Sequence, residues 1–224
     1  MFQRTITAIA ILLATGYFAT LVAQEVVSDE IMDLGPNSEF VRGPVILSDD
    51  EMAAIESGSP IIRVQRDAED KEATVQVVSA VKINASTDIV WQIMYGCDAS
   101  KKVVRNLKSC TILEQSEDGS YDIREHIVKY SFLFPSLRNV FRSEYSEPNE
   151  IYFYRVGGDL KFQEGIWRLE EVDEGNSTLV YYKARLALKV PAPRFLIRRS
   201  IRKDIPEIFH QLRELAEAES LEET

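Results

Sequence analysis

The feature that most constrains this chain is a long amphipathic helix that follows about ninety residues of strands and turns. We predict the helix over residues 194–219, because its apolar residues recur at steps of three and four and so form one stripe that can be buried. The stripe consists of Ile197, Ile201, Ile205, Ile208, Phe209, Leu212, Leu215 and Ala216. Such a helix is roughly 37 Å long at 1.5 Å per residue, so it can lie across a whole curved sheet. We therefore expect a groove between a sheet and this helix.

The size and charge of the chain exclude some classes of function. With 224 residues, 45% of them hydrophobic, the chain can build one well-packed domain with short extensions. It carries 26 Lys and Arg against 36 Asp and Glu, a net charge of −10. This balance disfavours a broad phosphate-binding surface, so nucleic acid is not an expected partner.

The first 23 residues have the pattern of an export signal. Arg4 precedes an apolar run over residues 6–22, and small residues allow a cut after Ala23. Because Leu21 stands where a small residue is usual, a retained membrane anchor is the alternative. We expect a periplasmic or secreted protein, or alternatively an anchored one that faces the exterior.

The cysteine and histidine content limits the covalent and metal chemistry. Cys97 and Cys110 are the only cysteines, and export would allow them to form a disulfide; two buried thiols are the alternative. With His126 and His210 as the only histidines, no familiar metal-ligand spacing is present. We expect no metal and no cofactor.

An N-terminal extension over residues 24–71 precedes the main domain. Residues 24–46 show no sustained period and are interpreted as a linker or a loosely docked arm. A short helix is predicted over residues 49–57, because Ser48 and Glu51 have the spacing of a capping box.

The main domain begins with a Val-rich strand over residues 74–83, followed by a helix capped by Ser86 or Thr87 and a second helix over residues 100–106. Six strands separated by short turns follow, and short connections imply antiparallel neighbours. The predicted strands cover residues 109–115, 121–132, 137–145, 151–156, 160–172 and 178–190.

Several segments of this domain carry a resemblance to a known family. They are Ile-Asn-Ala-Ser-Thr-Asp-Ile-Val-Trp at 83–91, Gly-Ile-Trp-Arg-Leu at 165–169, Ser-Thr-Leu-Val-Tyr-Tyr at 177–182, Val-Pro at 190–191 and Leu-Arg-Glu-Leu-Ala-Glu at 212–217. The chain resembles the START-like (helix-grip) superfamily, which includes the polyketide cyclase/dehydrase-like and coenzyme Q-binding START-domain proteins. The resemblance implies an α+β fold over residues 72–219, with an acidic tail at 220–224. Its curved antiparallel sheet of about seven strands would wrap around the C-terminal helix, with two short helices after the first strand.

Strand alternation predicts which side chains face the cavity between sheet and helix. On the last strand, Thr178, Val180, Tyr182, Ala184, Leu186 and Leu188 share the inner face, whereas Leu179 and Lys183 lie on the outer face. Gly165 and Trp167 share the inner face of the preceding strand, and Gly165 would allow the helix or a ligand to approach the backbone closely. The other apolar cavity candidates are Trp91, Ile123, Ile127, Phe153, Ile201, Ile205 and Ile208.

Three charged residues interrupt rows that we interpret as inward-facing. If Ile123 and Ile127 point inward, Glu125 between them does too. By the same alternation, Arg155 shares the face of Phe153, and Arg142 shares the face of Val140. A cluster of Glu125, Arg142 and Arg155 could bind the polar head of an apolar ligand; a structural ion network, or a wrong strand phase, is the alternative. On this phase His126 is exposed, and we find no nucleophile motif around either histidine.

The leading hypothesis is an exported domain, expected to be a monomer, that binds a lipid or another apolar small molecule. The alternatives are a cyclase or dehydratase that uses Glu125, Arg155 or Tyr182, and an adaptor whose cavity is filled by its own side chains. A basic stretch at the start of the long helix either contacts anionic lipid headgroups, a peripheral membrane contact, or is a solvated face. It consists of Arg194, Arg198, Arg199, Arg202 and Lys203.

Overall fold

The computed structural model describes residues 38–66, 75–129, 135–189 and 194–222. Contacts divide the chain into residues 1–36 and 37–224, and every described residue belongs to the second unit. The predicted signal or anchor and residues 24–37 of the extension lie outside the described residues. Among the described helices, none is long and apolar enough to cross a membrane.

The described part of the chain contains five α-helices and eight strands. The helices are α1 (Glu39–Arg42), α2 (Asp49–Glu56), α3 (Thr87–Met94), α4 (Gly96–Val103) and α5 (Arg194–Glu222). The strands are β1 (Ile61–Arg66), β2 (Val75–Ile83), β3 (Leu107–Gln115), β4 (Tyr121–Val128), β5 (Leu137–Ser146), β6 (Glu150–Gly158), β7 (Leu160–Val172) and β8 (Ser177–Leu188). They form one antiparallel sheet in the order β1-β2-β8-β7-β6-β5-β4-β3. The predicted α+β helix-grip fold is confirmed.

Three elements differ from the sequence prediction. Strand β1 is an eighth strand, within the N-terminal extension, for which the sequence predicted no strand. Its six residues have no strong pattern of their own and become a strand by pairing with β2. Helix α4 begins at Gly96 and ends at Val103, rather than covering residues 100–106. Helix α5 continues through Pro206 and extends to Glu222.

The main apolar core lies between α5 and the inner face of the sheet. Phe209, Leu212 and Ala216 of α5 are at most 1% exposed and pack on Val180 of β8 and Ile83 of β2. Helix α3 contributes Ile89, Val90 and Trp91 to the same core. The predicted stripe of α5 therefore covers the inner face from Ile201 to Ala216, while the side chain of Ile197 lies outside the described part of the chain.

The outer face of the sheet is also covered, by the N-terminal extension. Val41 of α1 packs on Tyr152 and Ile166, while Ile55 of α2 packs on Leu179. The expectation of a linker or loosely docked arm is therefore wrong for residues 38–46. On the outer face of β8, Leu179 is buried against α2 and Lys183 is bound by the segment that follows α1.

Two charged side chains on the outer face hold the extension in place. Lys183 is 5% exposed, and its Nζ donates a hydrogen bond of 2.9 Å to the carbonyl oxygen of Gly43. Glu164 is 1% exposed, and its Oε1 accepts hydrogen bonds from the backbone N–H of Ser38 (3.0 Å) and the hydroxyl of Tyr152 (2.6 Å). Because buried polar groups need partners, these bonds fix the position of the extension on the sheet.

A disulfide ties α4 to the edge strand β3. It joins Cys97 to Cys110, whose Cα atoms are 5.4 Å apart. Tyr95 occupies the N-cap position of α4, and its side chain makes no capping hydrogen bond to the helix. The covalent bond therefore constrains a short helix that has little intrinsic stability of its own.

We predict that replacing both cysteines by alanine lowers the free energy of unfolding by about 3 kcal/mol, because the unfolded chain loses a closed loop of about fourteen residues. Denaturant unfolding with and without reductant measures this. Reductant should destabilise the parent and leave the Cys97→Ala/Cys110→Ala variant unchanged. Equal stability of the parent in both conditions would contradict the prediction.

Candidate functional site

A cavity of about 210 Å³ lies between the inner face of the sheet and helices α3, α4 and α5. Most of its wall is apolar or aromatic, formed by Ile93, Met94, Ala99, Val103, Val104, Phe141, Ile151, Phe153, Trp167, Tyr182, Ile208 and Leu212. The remaining wall carries polar atoms, contributed by Ser100, Arg124, His126, Asn139, Ser143, Tyr145 and Gln163. The cavity is thus two-sided, with an apolar part beneath α5 and a polar part on β4 and β5.

Aromatic rings from three neighbouring strands form the apolar part. The ring centroids of Trp167 and Tyr182 are 4.3 Å apart, and the Phe153 ring stacks 6.2 Å from that of Tyr182. Trp167 meets Phe209 of α5 edge-on at 6.0 Å. The rings share one face because they lie at paired or alternate positions of β6, β7 and β8.

Gly165 allows the Phe153 ring to lie flat on the sheet. It is the register partner of Phe153, and a Cβ at this position would overlap that ring. The sequence predicted a close approach of a helix or ligand at Gly165. The structure shows that a neighbouring side chain makes this approach.

The polar part contains a buried ion pair. Arg124 is 4% exposed and Asp122 is 1% exposed. Nε of Arg124 donates to Oδ1 of Asp122 at 2.8 Å, and the Tyr145 hydroxyl donates to Oδ2 of the same carboxylate at 2.6 Å. Burial raises the pKa of Tyr145, so its hydroxyl remains a donor. The carboxylate therefore compensates the guanidinium charge inside the domain.

The ion pair also positions α4 against the sheet. Nη1 of Arg124 donates to the Ser100 hydroxyl of α4 at 3.5 Å, and Tyr145 packs edge-on against Tyr95, the residue before α4, at 4.9 Å. Replacing one partner of the pair would leave a buried charge without compensation. The pair is thus part of the scaffold of the cavity wall.

His126 presents an imidazole to the cavity. Its ring packs edge-on against Phe141, with centroids 4.8 Å apart, and its buried Nε2 has no hydrogen-bond partner among the described residues. Burial, together with the positive charge of Arg124, lowers the pKa of His126 to about 4. The imidazole is therefore neutral near pH 7 and offers either a donor or an acceptor at Nε2.

Two further unpartnered polar atoms lie on the inner face next to His126. Nδ2 of Asn139 donates to Oε1 of Gln163 at 2.7 Å, which leaves Oδ1 of Asn139 buried without a partner among the described residues. Nε of Arg155 is likewise buried and unpartnered within that part of the chain. Asn139 is the register partner of His126, and Arg155 is that of Phe141. We call His126, Asn139 and Gln163, which line the cavity, its polar end; Arg155 lies on the same face of the sheet outside the wall.

The structure brings together some of the residues predicted for the site. Phe153, Trp167, Tyr182 and Ile208 line the cavity. The core that adjoins it contains Trp91, Val180, Ile201 and Ile205. Ala184 and Leu186 lie on the same face of β8, and Arg155 lies on the inner face of β6.

The predicted phase of β4 is wrong. Ile123, Glu125 and Ile127 lie on the outer face, where Glu125 pairs with Arg138, and His126 lines the cavity although it was predicted to be exposed. Arg142 is the register partner of Ile123 and lies on the outer face as well.

Arg142 has outer-face partners of its own. Its Nε donates to Glu144 at 3.1 Å, and its guanidinium lies 3.6 Å from the centre of the Tyr121 ring. The predicted cluster of Glu125, Arg142 and Arg155 therefore does not form.

The phase error arose because the inner face of β4 is polar. The prediction assigned the isoleucines to the inside, yet Asp122, Arg124 and His126 occupy that face. A signal was present: Asp122 and Arg124 are two residues apart, so opposite charges share one face and can be buried as a pair. The partners Tyr145 and Ser100 come from other elements and are invisible within the strand itself.

The described residues contain no group of three or more His, Cys, Asp or Glu side chains that could hold a metal ion. Among the described residues, the cavity wall contains one histidine and no carboxylate, and the nearby Asp122 is bound to Arg124 and Tyr145. The cavity can therefore enclose an apolar group of a ligand and form hydrogen bonds with a polar group of the same ligand.

We predict that His126 makes folding stability depend on pH. Its pKa is about 4 when folded and ordinarily about 6.5, so between these values the unfolded chain binds more protons. This contribution to stability is complete above about pH 6.5 and is lost as the pH falls towards 4. Between pH 7 and pH 5 the parent should lose about 2 kcal/mol more than a His126→Gln variant, measured by denaturant unfolding. An equal loss in both proteins would contradict this.

Solved structures share the architecture of this chain. One is a START superfamily protein from Mycobacterium smegmatis, at 19% identity and a TM-score of 0.55, over 64% of this chain and 97% of that one. Another is the Zhui aromatase/cyclase from Streptomyces sp. R1128, at 12% identity and 0.56, over 64% and 94%. Human STARD10 is similar at 10% identity and 0.59, over 80% and 84%. At such identities the likeness shows the fold alone.

Sequence comparison adds the family. No curated protein matches the chain significantly. The family model described as polyketide cyclase / dehydrase and lipid transport matches residues 83–213, from the last residue of β2 into α5, which is more than half of the chain. The matched segment contains every residue that lines the cavity. The chain therefore belongs to the polyketide cyclase / dehydrase and lipid transport family and is a START-like (SRPBCC) ligand-binding domain.

Proposed function

We propose that this domain binds an apolar small molecule or lipid in the cavity beneath α5 and carries it without changing it. The observation that supports this most directly is the two-sided wall, where aromatic rings on β6, β7 and β8 lie beside a short row of polar atoms. Ligand sites commonly combine a mostly apolar surface with a few polar groups that orient the ligand. The relatives named above are compatible with either carriage or cyclisation.

The volume of the cavity limits the ligand. At about 210 Å³ it lies below the roughly 300–1,000 Å³ that is usual for drug-sized ligands. A compact ring system or a short acyl segment fits without movement of the wall. A longer lipid would require α5 to move away from the sheet.

The polar end indicates which part of the ligand lies there. Nε2 of His126 and Oδ1 of Asn139 lack partners among the described residues, and a buried polar atom without a partner destabilises the fold. A ligand hydroxyl or carbonyl placed at this end would satisfy them. We therefore expect an amphipathic ligand with its polar group towards His126 and its apolar body against Trp167 and Tyr182.

A cyclase or dehydratase is the second candidate, because His126 faces the cavity with a nitrogen that has no partner in the described part of the chain and could accept a proton from a bound substrate. Its pKa of about 4 argues against this role, since an efficient general base has a pKa near the working pH. Asp122 is bound by Arg124 and Tyr145 and offers no free carboxylate. Mass spectrometry of the bound molecule before and after incubation separates the two, because carriage leaves its mass unchanged.

The adaptor alternative has less support. An adaptor of this fold needs no internal space, whereas the side chains of this domain leave a cavity with hydrogen-bonding groups on one side. We propose that the domain acts as a monomer, as expected from its sequence.

We also propose that the protein works outside the cytoplasm, in the periplasm or secreted. The pattern of residues 1–23 supports export, and the disulfide between Cys97 and Cys110 fits an oxidising compartment. A retained anchor that leaves the domain facing the exterior is the alternative.

The export proposal predicts a mature protein that begins near Gln24 and is recovered from the soluble fraction outside the cytoplasm. N-terminal sequencing of the protein from its own source measures this. Retention of Met1 in a membrane fraction would support the anchor and exclude cleavage.

The binding proposal predicts that filling the cavity removes ligand binding. An Ile208→Trp variant places a larger side chain in the wall, so its affinity for an apolar fluorescent probe should fall at least about tenfold. Leu215→Trp is the matched control, because Leu215 is a partly buried residue of the same helix that does not line the cavity. Circular dichroism and denaturant unfolding establish that both variants fold.

Two results would contradict the proposal. One is a parent protein that binds no apolar probe and, in native mass spectrometry, carries no small molecule when purified from its own compartment. The other is a folded Ile208→Trp variant that binds the probe as tightly as the parent and the Leu215→Trp control.

A further inference from the structure

The topology of the sheet sorts charged side chains to its two ends. Strands β4 and β8 finish at one end, where β3, β5 and α5 begin, as the antiparallel registers require. We call this the basic end. The opposite end, where β3 and β5 finish and α5 terminates, is called the acidic end.

The first group of cations at the basic end comes from α4 and its connection to β3. Lys101 and Lys102 lie in the last turn of α4, Arg105 follows the helix, and Lys108 is the second residue of β3. All four side chains are exposed. Asp98 is the acidic residue of α4, and it lies 3.5 Å from Lys101.

The second group comes from the end of β8 and the start of α5. Lys189 directly follows β8, and Arg199, Arg202 and Lys203 lie in the second and third turns of α5; all four are exposed. Asp204 is half-buried beside them. With Asp98, Asp204 and the exposed Asp159 of the β6–β7 turn taken into account, the described residues of the two groups leave an excess of positive charge at this end.

The acidic end carries the opposite charge. The β3–β4 turn contributes Glu117 and Asp118, and the β5–β6 turn contributes Glu147. The last turns of α5 add Glu219 and Glu222. All five side chains are exposed.

Distance keeps the two ends electrostatically separate. A strand of nine residues, such as β3, is roughly 30 Å long. The Debye length at physiological ionic strength is about 8 Å, so the acidic end is screened from a surface that touches the basic end. A surface that touches the basic end therefore meets a local positive charge, although the net charge of the whole chain is −10.

The helices that carry these cations also form the cavity wall. Helix α4 contributes Ala99 and Val103 to the wall, and α5 contributes Ile208 and Leu212 a few residues beyond Lys203. A surface that contacts the basic end thus contacts the elements that enclose the ligand. An apolar ligand dissolves in a bilayer, whereas nucleic acid or an acidic protein would not supply one.

We infer that the basic end docks on an anionic lipid bilayer, with the acidic end turned away from it, so that the domain meets the membrane in one orientation. The inference rests on the proposed function, because the bilayer is the source or destination of the apolar ligand. Electrostatic attraction to anionic lipid increases with each Lys or Arg near the surface and decreases with salt.

Vesicle co-sedimentation of the full chain tests this inference, with phosphatidylglycerol–phosphatidylcholine vesicles compared against pure phosphatidylcholine. The readout is the ratio of the two partition coefficients, because the apolar run at residues 6–22 would bind both vesicle types. The parent should prefer anionic vesicles, and added salt should remove the preference. Replacing Arg199, Arg202 and Lys203 by glutamine should reduce the ratio by roughly tenfold or more.

The matched control changes the same amount of charge at the acidic end. Replacing Glu117, Glu147 and Glu219 by glutamine makes the net charge more positive, so attraction governed by net charge would raise the ratio. Docking through the basic end leaves it unchanged. An unchanged ratio in the cation variant, a raised ratio in the control variant, or tighter binding of the parent to duplex DNA than to anionic vesicles at equal salt would overturn the inference.

Probe binding without vesicles separates this inference from the proposed function. The cation variant should bind the apolar probe like the parent, because the three residues are exposed and do not line the cavity. Vesicle preference without probe binding would refute the proposed function alone. Probe binding without vesicle preference would refute the docking inference alone.

Discussion

The packing of the apolar stripe of α5 against the inner face of the sheet is the interaction on which the rest of the structure depends. Phe209, Leu212 and Ala216 are at most 1% exposed, and they join β2, β8 and α3 into one core. Burying a side chain of the size of Phe209 or Leu212 contributes about 1.5–3 kcal/mol. The same contact encloses the cavity, because Leu212 belongs both to the core and to the cavity wall.

Most polar side chains of the inner face form hydrogen bonds or ion pairs with one another, so only a few of their atoms are available to a ligand. Asp122 and Arg124 do so through the hydroxyl of Tyr145, which holds their charges in a part of the domain that is nearly inaccessible to water. His126 avoids a charge by its lowered pKa instead. At the polar end the atoms without partners among the described residues are Nε2 of His126 and Oδ1 of Asn139, both on neutral side chains, which favours recognition of a hydroxyl or carbonyl.

The extension covers part of the outer face of the sheet, so that the central strands form a middle layer. Residues 38–66 supply α1, α2 and the edge strand β1, and they cover Leu179, Ile166 and Tyr152 on the outer face. A sheet covered on both faces can carry apolar residues at consecutive positions. On β4 the isoleucines lie on the outer face and the inner face is polar, so an assignment by hydrophobicity gave the wrong phase, while the alternation of β8 placed Tyr182 on the correct face.

The sequence by itself determined the order of elements, the α+β class, the stripe of α5 and the family resemblance, because these depend on local periodicity and turn chemistry. It also predicted that the side chains of Trp167, Tyr182, Phe153 and Ile208 face the space between sheet and helix, since the periodicity of a strand or helix is a local property. Only the tertiary structure decided the phase of β4, the docking of the extension and the sorting of charge to two ends. In each case the deciding partner is distant in the chain. Tyr145 decides the position of Arg124 on β4, Glu164 binds Ser38 of the extension, and α5 lies at the same end of the sheet as the cations of α4. The physical reason is that burial of a polar group depends on partners that no pattern along a single segment contains.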